Sequence, residues 1–200
     1  MRRVVCLLAF SLLFGFAVSA QDQDADTSST KADVFLGYTY VRQTYKNGIP
    51  PYNQQFGMNG GSAQFAFYPV RSFAIVAEIA GTESSTIGGN PSAGAMYSYL
   101  FGPRIVLHQG RLRPYVQGLF GEAHMTSGLS YYLLPTNASG TVDGNSFAIA
   151  AGVGLDLTLT HHFAVRLGQI DYLMTRFYDP YGSRFIQNNA RYSGGIVYRF

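Results

Sequence analysis

The sequence predicts an all-β fold, an eight-stranded antiparallel up-and-down transmembrane β-barrel. Segments of about ten residues alternate between apolar and polar side chains, as the strands of such barrels do. The connections between these segments are alternately long and short. Only 12% of the residues are charged, whereas 15% are aromatic. Soluble domains carry roughly 25% charged residues, so this balance indicates a surface that meets lipid.

The first 20 residues have the features of a secretory signal peptide. Arg2 and Arg3 form a positively charged start, an apolar run covers 4–18, and the small residues before Ala20 suit a cleavage site. The run is shorter than the ~20 residues of a membrane-spanning helix. We therefore expect a signal peptide at 1–20, a flexible periplasmic segment at 21–31 and a barrel at 32–200.

Signal removal also limits the chemistry of the mature chain. It leaves 12 basic and 11 acidic side chains and a net charge of +1. These charges form no basic cluster, which argues against a nucleic-acid partner. The single cysteine, Cys6, lies in the signal. The mature chain therefore offers no disulfide, no thiolate metal site and no cysteine nucleophile.

The first four predicted strands are defined by alternation with a period of two residues. They cover 33–42, 60–68, 73–81 and 96–106. Their predicted lipid-facing residues are, in order, Val34, Leu36, Tyr38 and Tyr40; Gly61, Ala63, Phe65 and Phe67; Phe73, Ile75, Ala77 and Ile79; and Tyr97, Tyr99 and Phe101. The opposite faces carry small or polar residues, among them Glu78 and Arg104, and are assigned to the lumen.

The last four predicted strands cover 112–122, 146–157, 163–174 and 190–200. In three of them the lipid-facing residues are Pro114, Val116, Gly118 and Phe120; Phe147, Ile149, Ala151, Val153, Leu155 and Leu157; and Tyr192, Gly194, Ile196, Tyr198 and Phe200. The seventh strand breaks the alternation, because Arg166 has the opposite parity to Gln169 and Asp171. All three side chains favour the lumen, so we predict a β-bulge near Gly168.

The connections support the same topology. The short ones are 69–72, 107–111 and 158–162, and the long, polar ones are 43–57, 82–95, 123–145 and 175–189. Outer-membrane barrels have short periplasmic turns and longer external loops. A soluble sandwich has no reason to sort its connections in this way.

The predicted lumen contains a set of charged side chains: Glu78, Arg104, Arg113, Asp156, Arg166, Asp171 and Arg191. Isolated charges are costly in a narrow interior, so we expect a hydrogen-bonded network. Eight strands leave an interior that side chains just fill. The network is either a structural polar plug or the gate of a narrow ion conduit, and the sequence leaves both interpretations open.

Four segments and the C-terminal strand carry a resemblance to a known family. The segments are 35–40 (FLGYTY), 99–104 (YLFGPR), 152–156 (GVGLD) and 166–172 (RLGQIDY). Over most of 32–200 the chain resembles the small outer membrane protein A-like β-barrel domain family, which implies a bacterial outer-membrane location. We expect a barrel without the periplasmic peptidoglycan-binding domain of outer membrane protein A itself.

The final strand also looks like the signal that the outer-membrane assembly machinery reads. Its alternating residues Tyr192, Ile196 and Tyr198 lead to a terminal aromatic residue, Phe200. The resemblance implies that this machinery and periplasmic chaperones are partners. It also implies that outer-membrane lipids and lipopolysaccharide surround the barrel.

One histidine raises the question of catalysis. His124 follows Glu122 and precedes Ser127 and Ser130, residue types that form a nucleophile, a base and an orienting acid in some enzymes. A solvated histidine at the barrel rim is the simpler interpretation. The spacing of His and acidic residues matches no metal site, and the glycines match no cofactor motif. We therefore expect no enzyme activity, no metal and no cofactor.

The loop predicted at 123–145 contains an apolar cluster, Tyr131, Tyr132, Leu133 and Leu134. Exposed apolar clusters mark interaction sites, so these residues are candidates for contact with a surface ligand; the alternative is that they pack on the barrel rim. The sequence thus predicts a non-enzymatic outer-membrane barrel with a role in envelope integrity, adhesion or binding. The alternatives are a narrow porin-like ion channel gated by the lumenal charges and, third, a lipid A-modifying enzyme.

Overall fold

A computed structural model describes residues 31–45, 54–87, 90–126, 144–178 and 184–200. Their strands are β1 (Ala32–Tyr45), β2 (Gln54–Val70), β3 (Phe73–Ile87), β4 (Asn90–Val106), β5 (Leu112–Met125), β6 (Gly144–Thr158), β7 (Phe163–Tyr178) and β8 (Arg184–Arg199). Each strand pairs antiparallel with the next, and β8 pairs with β1. The predicted fold class, a closed eight-stranded up-and-down barrel, is confirmed.

The predicted signal peptide at 1–20 lies outside the described residues, as does the segment that follows it up to residue 30. Within the described ranges, no helix is long and apolar enough to cross a membrane.

Pairing of the first and last strands closes the ring. Val34 lies opposite Tyr198, and the register continues to Arg42 opposite Ala190. At the end of this ladder, the backbone N–H of Phe200 donates to the carbonyl of Ala32 at 2.9 Å. Hydrocarbon offers no hydrogen-bonding partner, so a closed ring is the arrangement that leaves no unpaired strand edge in lipid.

Alternate side chains point outward and form an apolar belt around the barrel. Leu36, Ile79 and Phe101 are 60%, 57% and 51% exposed, respectively. Among the strand residues whose side chains the structure describes, outward-facing charges occur only toward the loop ends, at Arg42, Glu83, Glu122 and Arg176. An outward-facing Arg or Lys at the bilayer midplane costs about 2–4 kcal/mol. The uncharged belt therefore fits the hydrocarbon layer.

The bulge predicted near Gly168 is present in β7. Arg166 pairs with Gly195 of β8, whereas Gln169 pairs with Ser193, so residues 167 and 168 oppose a single residue of β8. The side chain of Leu167 is exposed, and those of Arg166 and Gln169 are buried. This shift of phase allows one strand to direct both of these polar side chains into the lumen.

The strands extend further toward the loops than the sequence predicts. The predicted loops begin at residues 43, 82, 123 and 175, whereas the strands continue to Tyr45, Ile87, Met125 and Tyr178. The extensions carry polar residues on both faces, such as Thr82 and Glu83 in β3. Apolar alternation fades once a strand leaves the membrane, and this makes the predicted loop boundaries wrong. The apolar cluster at residues 131–134 lies outside the described residues.

Side chains fill the lumen in two different ways. Its loop-side half contains an apolar layer of inward-facing residues: Val41, Met58, Met96, Leu119, Met125 and Leu173. All of them are at most 3% exposed. Buried polar residues such as Gln43, Thr82 and Gln187 also face inward on the loop side, whereas the charged side chains lie in the middle and at the turn-side end of the lumen. The barrel interior is therefore a packed core, as expected for eight strands.

Candidate functional site

The middle of the lumen holds equal numbers of carboxylates and arginines, each at most 4% exposed. We call this set the central layer: Glu78, Asp156, Asp171, Arg104, Arg166 and Arg191. Its formal charge is zero. The residues come from β3, β4, β6, β7 and β8, so the layer exists only when the barrel is closed.

Arg191 of β8 is the most heavily paired of these arginines. Its Nη2 lies 2.9 Å from Oδ2 of Asp171, and its Nε donates to the same oxygen at 3.0 Å. Its Nη1 forms a second ion pair with Oε1 of Glu78. Asp171 is directly opposite Arg191 on the neighbouring strand β7, whereas Glu78 lies on β3. The guanidinium group therefore ties strands that do not pair with each other.

Arg166 forms the other ion pair of the central layer. It lies opposite Asp156 of β6 in the strand register, and its Nε donates to Oδ1 of Asp156 at 2.9 Å. The guanidinium carbon is 4.1 Å from the centre of the Phe35 ring and 5.0 Å from that of Tyr115. Aromatic faces attract a cation, and this attraction is strongest where water is excluded.

Gln64 joins the two ion-paired groups into one network. Its Nε2 donates to Oε2 of Glu78. Its Oε1 accepts from Nη1 of Arg166 at 2.6 Å and also from Nη2 of Arg104. A neutral amide both donates and accepts, so it links acids to arginines without adding charge.

Gln117 and Gln169, on the opposite wall of the barrel, also link the charged residues of the central layer to one another. Oε1 of Gln117 accepts from Nη2 of Arg104 at 2.8 Å. Oε1 of Gln169 accepts from Nη1 of Arg166 at 2.8 Å, and its Nε2 donates to Oδ2 of Asp171 at 2.7 Å. Hydrogen bonds of this kind are necessary because a buried charge without them is destabilising.

Two inward-facing glycines make room for this network. A Cβ atom on Gly154 would overlap the ring of Tyr115, and a Cβ atom on Gly152 would overlap Oδ1 of Asp171. Tyr115 needs the space because its hydroxyl donates to Oε1 of Gln169 at 2.7 Å, while Arg104 lies 4.3 Å from its ring centre.

A separate group of polar residues lies at the end of the lumen that carries the short turns. We call it the turn-end cluster: Asp33, Tyr68, Arg113 and Arg199. The hydroxyl of Tyr68 donates to Oδ2 of Asp33 at 2.7 Å, and Arg113 lies 5.7 Å from the centre of the Tyr68 ring. Arg199 donates through Nη1 to Oγ1 of Thr158 at 2.8 Å.

The structure thus separates the lumenal charges that the sequence groups together. Glu78, Asp171 and Arg191 meet directly, Arg166 pairs with Asp156, and glutamines connect these pairs to Arg104. Arg113 lies opposite Asp156 in the register of β5 and β6 but forms no ion pair with it in the described ranges, and it belongs to the turn-end cluster. Residues missing from the predicted set include the bridging Gln64, Gln117 and Gln169, as well as Tyr115, Asp33 and Arg199. Each shares the inward parity of its strand, which is the signal that identifies them.

On the outer face, His124 contacts an amide. Its Nδ1 lies 2.6 Å from Oδ1 of Asn145 on the neighbouring strand β6. Glu122 is exposed on the same face, and Ser127 and Ser130 lie outside the described residues. In the described part of the chain, no three His, Cys, Asp or Glu side chains come together as a metal site.

The residues of the predicted assembly signal all face outward on β8 or directly after it. Tyr192, Ile196, Tyr198 and Phe200 are exposed on the lipid side of the barrel. The Tyr198 ring packs edge-on against Phe200, with ring centres 4.9 Å apart. This places an aromatic cluster at the turn side of the seam between β8 and β1. Recognition by the assembly machinery stays a prediction.

Comparison with solved structures identifies the fold. The attachment invasion locus protein Ail of Yersinia pestis superposes with a TM-score of 0.57 at 15% identity, over 86% of this chain and 100% of that one. The Pseudomonas aeruginosa outer membrane protein OprG gives 0.55 at 12% identity, over 84% and 95%. The chain has the fold of the small outer-membrane β-barrels. Neisserial surface protein A gives 0.54 at 10% identity, over 84% and 97%.

The same comparisons bear on the predicted resemblance. The N-terminal barrel domain of Pseudomonas aeruginosa OprF matches with a TM-score of 0.51 at 11% identity, over 86% of this chain and 100% of that domain. No family model and no curated protein matches the sequence. At these identities the similarity concerns the fold alone. The outer membrane protein A-like barrel architecture is confirmed, and the apolar belt agrees with the predicted outer-membrane location.

Proposed function

We propose that this barrel is a non-enzymatic outer-membrane protein whose lumen is a structural plug, and which supports the envelope or presents its external loops for adhesion or binding. One observation carries the proposal. Arg104, Arg166 and Arg191, in the middle of the lumen, are at most 1% exposed. Their hydrogen bonds run across the lumen to several strands, so they occupy the space that an ion would need.

Two barriers in series argue against conduction. An ion in the central layer would have to displace the guanidinium of Arg191, which is ion-paired with Glu78 and Asp171. Closer to the loops, it would have to cross the apolar layer, and hydrophobic constrictions block ions by excluding water. A porin-like channel would require both layers to rearrange.

Planar-bilayer recording tests the plug directly. We expect the purified barrel to show no unitary conductance over a wide range of voltages. The matched control is the double variant Glu78→Gln/Asp171→Asn, which removes both ion-pair partners of Arg191 and changes few atoms. Steady unitary openings of the wild-type barrel that change in this variant would show a gated pore and overturn the plug.

The proposed surface role rests on the stretch between β5 and β6, which contains the apolar residues at 131–134 that are predicted to contact a surface ligand. We expect a barrel with Tyr131, Tyr132, Leu133 and Leu134 replaced by Ser to reach the membrane but to lose surface binding by bacteria that display it. Replacement of His108 and Gln109, on a short turn at the other end of the barrel, is the matched control. If both sets of variants bind like the wild type while deletion sensitises cells to detergent, the role is envelope integrity instead.

The proposed absence of enzyme activity has its own test. Nucleophilic catalysis needs a base held by an orienting group, and the hydrogen-bonded partner seen for His124 is the amide of Asn145. We expect no turnover of lipid A by the purified barrel. Turnover that disappears in His124→Ala and persists in His108→Ala would identify a barrel enzyme.

A further inference from the structure

The charges of the lumen balance in one layer and not in the other. The central layer contains three carboxylates and three arginines, whereas the turn-end cluster contains Arg113 and Arg199 against Asp33 alone. The cluster therefore carries a surplus positive charge, although its charged residues are at most 8% exposed. Burial of a charge without a counter-charge is costly. The surplus calls for an anion at this end of the barrel.

The hydrogen-bonding pattern of Arg199 indicates the shape of that anion. Its Nη1 is engaged by Thr158, but Nε and Nη2 have no hydrogen-bond partner among the described residues. These two nitrogens form one edge of the guanidinium group. This edge matches a pair of oxygens on a carboxylate or phosphate, which arginine binds with two parallel hydrogen bonds.

A second arginine and the surrounding surface point to the same ligand. Nε of Arg113 also has no hydrogen-bond partner in the described part of the chain, and the positive charges of Arg113 and Arg199 repel each other. The exposed residues at this end of the barrel include Lys31, Arg71 and Arg111. A cationic rim raises the local concentration of anions.

Two carboxylates oppose an anion here: Asp156, which lies opposite Arg113 in the register and attracts Arg199 but forms its ion pair with Arg166, and Asp33. Asp33 lies opposite Arg199 in the register of β1 and β8, yet no ion pair within 4 Å joins Asp33 to Arg113 or Arg199 in the described ranges. Its Oδ2 accepts from Tyr68, while its Oδ1 has no partner. Asp33 is therefore placed to compete for these arginines rather than to neutralise both.

We propose that the turn-end cluster is a binding site for a small oxyanion, held by the free edge of Arg199 and by Arg113. A soluble phosphate-like anion is one source of this chemistry. The other is the chain itself, because the segment before Lys31 contains Asp22, Asp24 and Asp26. Lys31 is tied to this end of the barrel, since its backbone N–H donates to the carbonyl of Phe200 at 3.2 Å.

The test uses the full mature chain folded in micelles of a detergent without a phosphate group. Inorganic phosphate is titrated at constant ionic strength, and binding is followed by phosphorus NMR line width. We expect saturable binding by the wild type, at least tenfold weaker binding by Arg199→Gln and Arg113→Gln, and stronger binding by Asp33→Asn. Arg111→Gln removes an exposed arginine at the same end and should leave the affinity unchanged.

Further variants in the same titration distinguish the two possible sources of the anion and control for folding. If the aspartates occupy the site, Asp22→Asn/Asp24→Asn/Asp26→Asn will bind phosphate several times more tightly; if they do not, its affinity will equal that of the wild type. Arg199→Lys keeps the positive charge but lacks the two adjacent guanidinium nitrogens, so it should bind phosphate weakly. This variant provides the test if Arg199→Gln does not form a closed barrel. Absence of saturable binding both by the wild type and by the triple Asn variant overturns the site. Equal binding by closed Arg199→Gln or Arg199→Lys barrels overturns the assignment to Arg199.

Discussion

Arg191 offers the most direct test of the lumenal network, because one substitution removes two ion pairs. Its side chain is 1% exposed and contacts Glu78 and Asp171. Arg191→Met keeps much of the side-chain volume but deletes the charge. Both carboxylates then remain buried, with only glutamine amides to stabilise them. We expect the barrel to remain foldable but to be markedly less stable.

The magnitude follows from the geometry. Two unit charges about 4 Å apart attract by about 4 kcal/mol at an effective dielectric constant of about 20, and Arg191 has two such partners. Part of this attraction only offsets the desolvation of the ions. Removal of one member of a buried pair costs about 3–5 kcal/mol in practice. With an unfolding slope of about 2 kcal/mol per molar urea, the midpoint should fall by about 2 M.

Urea unfolding in lipid vesicles measures this change, with the closed barrel recognised by its faster migration on a gel without boiling. Arg42→Met is the matched control, because Arg42 faces outward and is exposed; exposed ion pairs contribute about 0–1 kcal/mol. The triple variant Arg191→Met/Glu78→Gln/Asp171→Asn removes all three charges and should recover most of the loss. If Arg191→Met shifts the midpoint no more than Arg42→Met, the buried, paired state of Arg191 is refuted.

Three further predictions concern the wall of the barrel. Val153→Arg, in the outward-facing belt, should cost about 2–4 kcal/mol in vesicle unfolding, whereas Asn145→Arg near the loop end should cost about 0–1 kcal/mol; equal costs would contradict the belt. Gly154→Ala should cost about 1–3 kcal/mol by overpacking against Tyr115, and the cost should shrink in the background of Tyr115→Leu. Deletion of Leu167 should leave the closed-barrel band on gels, because it removes the extra residue of the bulge and places Arg166 and Gln169 two positions apart, so that both still face the lumen of a regular strand; loss of the band would show that the bulge itself is required.

Side-chain parity carries most of the information that the sequence holds about this fold. In β7 the conflict between Arg166 and Asp171 is enough to predict the bulge, because both charges must avoid lipid. In β3 the same reasoning places the end of the strand too early, at residue 81 instead of Ile87. Thr82, Glu83 and Ser84 lie beyond the apolar belt, where neither face of the strand needs to be apolar.

Parity does not predict which lumenal charges meet. It gives the direction of a side chain but not its height in the barrel, which depends on the register of every strand between two partners. Glu78 and Arg191 lie on β3 and β8, which do not pair, so no local pattern connects them. The bridging role of Gln64 is hidden for the same reason, since its partners come from β3, β4 and β7.

The length of the strands has a consequence for what this barrel can reach. β2 and β4 each contain 17 residues, whereas about 9–11 tilted residues cross the hydrocarbon. At about 3.3 Å per residue and a tilt near 45°, such strands rise about 40 Å, compared with an apolar band of about 25 Å. The strands therefore continue beyond the apolar band, and the bilayer including its headgroups is about 40–45 Å thick. The paired strand ends thus hold the start and end of each external loop at the level of the polar headgroups.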